Sequence, residues 1–193
     1  MDQPPADRAA SPAGSRLLVL DLNATARTWA LPREGAARIV AAAPPEWRVH
    51  VVAAPTFSDG DGGRPPSDEA LAVVGDAEVY FGFGLHPALL AAAPRLAWVQ
   101  SAAAGVRSLL TPALRARGLA LTNAAGVMAV PMAEWVVAGV LHFLRGFDAA
   151  EGQRRARTWD RGPWVAPTVP AGGGAFAGPR EVGECRVCVV GVR

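Results

Sequence analysis

Five short apolar runs alternate with helical segments between residues 16 and 123, and no other feature of the sequence constrains the fold as much. Residues 16–22 (RLLVLDL), 47–53 (WRVHVVA), 77–81 (AEVYF), 97–100 (AWVQ) and 119–123 (LALTN) read as strands. Residues 32–42, 69–74, 87–93 and roughly 106–117 read as the intervening helices, with Pro32 suited to a first helical turn. Strands joined through helices rather than tight hairpins run parallel, and a parallel sheet buries both faces. The expectation is an α/β chain, a parallel five-stranded sheet with helices on both faces.

The flanks read differently. Residues 1–15 are rich in Pro, Ala and Ser and are expected to be disordered, and residues 55–68 (PTFSDGDGGRPPSD) form a loop. Residues 131–157 are the longest helical stretch, with Trp135, Val136, Val140, Leu141, Phe143 and Leu144 on a broad apolar face and Gly146 as the place to break. The domain plan is a disordered 1–15, a sheet domain 16–130, a helical segment 131–161, a Gly/Pro-rich connector 162–184 and a new strand from residue 185 to the end.

Composition excludes several classes. Apolar residues make up 51% of the chain, enough for a sizeable core. The net charge is only +2, and all 19 basic residues are Arg. They are scattered, apart from Arg154, Arg155, Arg157 and Arg161, whereas a nucleic-acid binder concentrates its charge on one face. The two cysteines, Cys185 and Cys188, are too few for a disulfide framework. On one strand an offset of three would point them to opposite faces, which disfavours pairing or metal chelation. No secretory h-region opens the chain, and residues 127–144, the longest apolar stretch, carry Glu134 and His142. A soluble, reduced, cytoplasmic chain is expected, with no membrane or nucleic-acid partner.

Two loops carry potential chemistry. After the fourth strand, Gln100-Ser-Ala-Ala-Ala-Gly105-Val106 leaves backbone N–H groups uncovered by bulky side chains. Such a loop at the carboxyl edge of a parallel sheet can hold a carboxylate, and it can equally be an ordinary tight turn. At the other end, Cys185-Arg-Val-Cys-Val-Val-Gly191 is a Val-rich strand running into Gly, as at the opening of a Rossmann unit, though strands of this kind occur in many folds. Glu134, three residues after Pro131, suits the helix dipole better than catalysis. His50 and His142 sit within a strand and a helix and read as packed or capped. His86 follows the third strand at its carboxyl end, without a nameable partner.

Residues 77–157 resemble the D-isomer-specific 2-hydroxyacid dehydrogenase family. The resemblance is carried by LAWVQSAAAGV, GLALTNAAGV and PMAEWVVAGVL in that order and spacing, and RVCVVG falls where that family's cofactor domain starts. It implies a flavodoxin-like substrate domain with a Rossmann domain inserted into it, NAD or NADP as cofactor, and a small 2-oxo or 2-hydroxy acid as substrate. The substrate carboxylate would be held by N–H groups near Ala103, Ala104 and Gly105, with Phe83 and Gly84 lining the same cleft. The helix from Pro131 would pass between domains with Met132 near the nicotinamide side, and Gly191 would be the first glycine of the cofactor loop.

Arg107 departs from the family, which commonly has Asp there. The family's catalytic Arg, Glu and His would lie beyond residue 193, so no catalytic residue is assigned and the chain is expected to be an inactive, truncated fragment of a dehydrogenase. A homodimer is open for the full-length form. The alternative is a non-catalytic flavodoxin-like module that binds a carboxylate or a partner chain.

Overall fold

The computed structural model describes residues 16–56, 65–165 and 179–190. The disordered terminus expected over residues 1–15, part of the loop 55–68, most of the connector and Gly191 lie outside the described residues. The chain divides into two compact units, Met1–Val127 and Met128–Arg193.

The first unit is the expected sheet. Strands β1 (Arg16–Asp21), β2 (Trp47–Val51), β3 (Val79–Gly82), β4 (Trp98–Ser101) and β5 (Ala120–Thr122) pair in the order β2-β1-β3-β4-β5. Every pairing is parallel. The helices between them are α1 (Arg33–Ala42), α2 (Asp68–Val74), α3 (Pro87–Ala92) and α4 (Pro112–Arg117).

Register places Val19 beside Tyr80, Tyr80 beside Val99 and Val99 beside Leu121, a row across one face of the sheet. Because side chains alternate along a strand, Leu17 joins that face, and Ala70 and Val74 of α2, Leu89 and Leu90 of α3 and Leu114 of α4 close over it. On the opposite face Leu18, Trp47, Val79 and Trp98 meet Ile39 and Ala42 of α1 around a cavity of about 320 Å³. Helices therefore stand on both faces, three on one and one on the other. The thinner cover leaves Trp98 exposed over 42% of its surface.

The expected helix over 106–117 is split in two. Pro112 holds Thr111 extended (ψ 155°), which ends a short 3-10 turn at Arg107–Leu109 and starts α4 afresh. The Thr111 hydroxyl then accepts the Leu114 N–H at 3.2 Å as an N-cap. Gly118 (φ 63°) closes α4 in the left-handed region that favours glycine.

In the second unit the long helical stretch breaks at Gly146 (φ 68°), giving α5 (Ala129–Arg145) and α6 (Phe147–Ala156). A short α7 (Gly162–Val165) follows. Helix α5 begins two residues before Pro131, which needs no N–H in a first turn. Glu134 consequently lies beyond the first turn, a correction to the dipole role expected of it. The strand expected over residues 185–191 does not form over its described part: residues 185–190 pair with no strand, and Val189 and Val190 are exposed. A strand without a ladder partner leaves its backbone groups to water.

Candidate functional site

All five strands run the same way, so their carboxyl ends meet along one edge of the sheet. Chain connectivity reverses direction between β1 and β3, where Asp21 and Gly82 are register partners. In open α/β sheets ligands bind at that edge near such a switch point.

The loop after β4 is built there. Ala102 donates its N–H to the Gly82 carbonyl at 2.8 Å, tying the loop to the end of β3. Ala103 donates to its neighbour Ser101 Oγ at 3.2 Å, and Ser101 is fully buried. From the far side, Ala124 N–H donates to the Ala103 carbonyl at 3.2 Å and Asn123 Nδ2 to the Ala104 carbonyl at 2.6 Å. Among the described residues the N–H groups of Ala104 and Gly105 have no acceptor. A Cβ added at Gly105 would meet nothing within 4 Å, so open space lies beside it. The Ala103 N–H, by contrast, is already committed.

The loop after β3 runs alongside. Phe83 is buried against Leu22, Ala24 and Ala102, and its ring stacks on Trp29 with centroids 6.0 Å apart. Gly84 follows, half-buried. At the β1 end the carboxylate of Asp21, 2% exposed, accepts from the hydroxyls of Tyr80 and Thr56. This edge therefore carries satisfied polar groups and aromatic rings, next to a loop with two free N–H donors that suit an anion.

No protein-family model matches the sequence, and no curated protein matches it. Among solved structures the chain is similar to a D-isomer specific 2-hydroxyacid dehydrogenase family protein from Aeromonas salmonicida subsp. salmonicida A449. The two are 26% identical with a TM-score of 0.56, over 76% of this chain and 41% of that one. The chain has the fold of the D-isomer-specific 2-hydroxyacid dehydrogenase family. Two structures of lower identity share the fold: D-lactate dehydrogenase from Aquifex aeolicus, complexed with NAD and lactic acid (15% identity, TM-score 0.53, 75% of this chain and 38% of that one), and NAD-dependent formate dehydrogenase from Staphylococcus aureus in complex with NAD (17%, 0.50, 76% and 43%). The chain spans about two fifths of the length of these relatives.

His50 lies 3.1 Å from Glu69, whose carboxylate also accepts the N–H groups of Ala53 and Ala54. Burial opposes ionisation of Glu69, yet those N–H donors and His50 hold its carboxyl below the ordinary carboxylate value. His86 caps α3, its Nδ1 accepting the Ala88 N–H at 3.1 Å. His142 pairs with Asp148 at 2.8 Å in the second unit. Each histidine thus has a structural partner. Met132 lies on α5 and is 63% exposed. Cys185 and Cys188 are free thiols, and among the described residues no cluster of metal-ligating side chains occurs. No described helix is long and apolar enough to cross a membrane.

Sequence reasoning missed Asp21, Tyr80, Thr56 and Asn123. Asp21 left one trace, a lone charge inside the apolar run LLVLDL. The others became visible only when the strands were brought into register.

Proposed function

We propose that this chain is the substrate-domain part of an NAD(P)-dependent 2-hydroxyacid dehydrogenase. It would hold the carboxylate of a small 2-oxo or 2-hydroxy acid on the N–H groups of Ala104 and Gly105. The observation that carries the proposal is the pair of consecutive, unclaimed donors on the β4 loop at the carboxyl edge of a sheet with this family's fold. Ala103 contributes its position in the loop rather than its N–H. Phe83, buried against Leu22, Ala24 and Ala102, would wall the site on one side, with Gly84 beside it.

The dinucleotide belongs to the complete enzyme in this proposal, with Met132 and Gly191 on its side. The described residues do not themselves fit NAD or NADP, because they include no G-x-G-x-x-G loop between a strand and a helix to receive a pyrophosphate. What these residues do is bind and orient the acid. Each of the three histidines is engaged by a structural partner, Glu69, the Ala88 N–H or Asp148, and none is assigned as a proton donor, so the chain is expected to bind without turnover.

The test is titration of the isotope-labelled chain with glyoxylate, lactate and acetate, following backbone amides, together with a cofactor-absorbance assay. Saturable shifts at Ala104 and Gly105 without NADH or NADPH oxidation are expected. Amides that do not respond to any acid would remove the carboxylate site. Turnover by the pure chain would mean that a proton donor has been overlooked.

A further inference from the structure

We infer that Asn123 is a positioning residue for the anion site, its side-chain amide locking the Ala104–Gly105 peptide with the Gly105 N–H turned outward. This rests on the carboxylate-binding function proposed above. In a trans peptide the C=O and the following N–H point in opposite directions, and the described chain has no cis peptide bond. Where a carbonyl is anchored therefore decides where the next N–H points.

Two successive carbonyls of the loop are anchored on the same element. The Ala103 carbonyl accepts from Ala124 N–H, which turns the Ala104 N–H away from the end of β5. The Ala104 carbonyl accepts from Asn123 Nδ2 at 2.6 Å, which turns the Gly105 N–H the same way. The two donors then face one side together, the arrangement in which successive N–H groups converge on an anion.

The two anchors are unequal. The first is backbone to backbone and survives any side-chain change. The second depends wholly on one side chain, on a loop that gives it little help. Ala104 and Gly105 are exposed, and Gly105 lacks the Cβ that would resist rotation of the peptide before it. Without the Asn123 amide nothing described opposes a flip of that peptide. A flip would aim the Ala104 carbonyl, the negative end of the dipole, at the bound carboxylate.

Asn123 reaches Ala104 because of its place in the register. Gln100 of β4 pairs with Thr122, the last residue of β5. Asn123 is the first residue free of the ladder, level with the start of the loop.

The experiment uses the full labelled chain with glyoxylate as probe, comparing wild type with Asn123→Ala and Asn123→Asp. The Asp variant keeps the shape of Asn but replaces the donor with an acceptor facing a carbonyl, and it serves if the Ala variant fails to fold. Loss of this one hydrogen bond is expected to weaken glyoxylate binding about tenfold in the Ala variant and more in the Asp variant. Shifts in the ligand-free spectrum should be confined to residues 103–106 and the immediate neighbours of position 123, with the amides of β1, β3 and β4 in place. A wild type that binds glyoxylate and an Asn123→Ala variant that binds it equally well would overturn the role of Asn123 alone. A wild type that binds no acid would overturn the site and this role together.

Discussion

Tyr80 Oη donates to Asp21 Oδ2 at 2.7 Å across neighbouring strands, and neither residue is more than 2% exposed. Thr56, reached after β2, supplies the second hydroxyl to the same carboxylate. Thr56 also exchanges backbone hydrogen bonds with Asn23 and Thr25, so Asp21 ties the ends of β1 and β3 to the segment that follows β2. Burial first, and then the Asp21 charge and hydrogen bond, push the Tyr80 phenol well above its ordinary pKa. Both oxygens of this buried carboxylate are satisfied at the carboxyl edge beside the β4 loop.

Tyr80→Phe is expected to destabilise the chain by about 2 kcal/mol, because it leaves a buried carboxylate oxygen without a donor. Urea denaturation followed by circular dichroism checks this. A loss under about 0.5 kcal/mol would show that water replaces the phenol.

Gly82→Ala should cost about 1–3 kcal/mol by overpacking. A Cβ there would stand 2.6 Å from Tyr80 Cε1 and 2.7 Å from its hydroxyl oxygen, so the ring must leave Asp21 to make room. Combined with Tyr80→Phe, the two losses should fall short of additive, since both act on the same ring. Fully additive losses in a double-mutant cycle would place the strain elsewhere.

Stability should fall at both ends of the pH range for different reasons. Glu69 has a lowered folded pKa, so its contribution is present above the ordinary carboxylate range and is lost as pH falls through it, below about pH 4. Tyr80 has a raised folded pKa, so its contribution is intact below about pH 10 and is lost as pH rises beyond that. Melting temperatures across pH should lose part of the acid limb in Glu69→Gln and part of the alkaline limb in Tyr80→Phe. Unchanged limbs would assign the pH dependence to other groups.

Arg107→Glu is expected to weaken carboxylate binding about three- to tenfold at low ionic strength, with the difference shrinking in high salt. Arg107 is exposed at the first residue of the turn after the loop, where it adds positive charge beside the proposed anion donors. Amide titration with glyoxylate at two salt concentrations measures it. A salt-independent difference would point to a change in loop conformation instead.

The five strands, their parallel sense and, apart from the split before Pro112, the helices between them were legible in the sequence, because burial on both faces writes itself as apolar runs such as RLLVLDL and LAWVQ. The sequence also placed the break at Gly146 and the small-residue loop after β4, since both depend on local backbone freedom. Residues 185–190 pair with no strand, because a strand exists only with a partner and pairing is not a local property. Tertiary structure alone decided which loop donors stay free. The Ala103 N–H is spent on Ser101, while those of Ala104 and Gly105 are left open by anchors from Ala124 and Asn123, about twenty residues along the chain. It likewise decided that Asp21 meets Tyr80, 59 residues away, because parallel register brings the ends of β1 and β3 side by side. Hydrogen bonds of such long sequence separation leave no periodic trace, so the site's donors were legible as a loop but not as an arrangement.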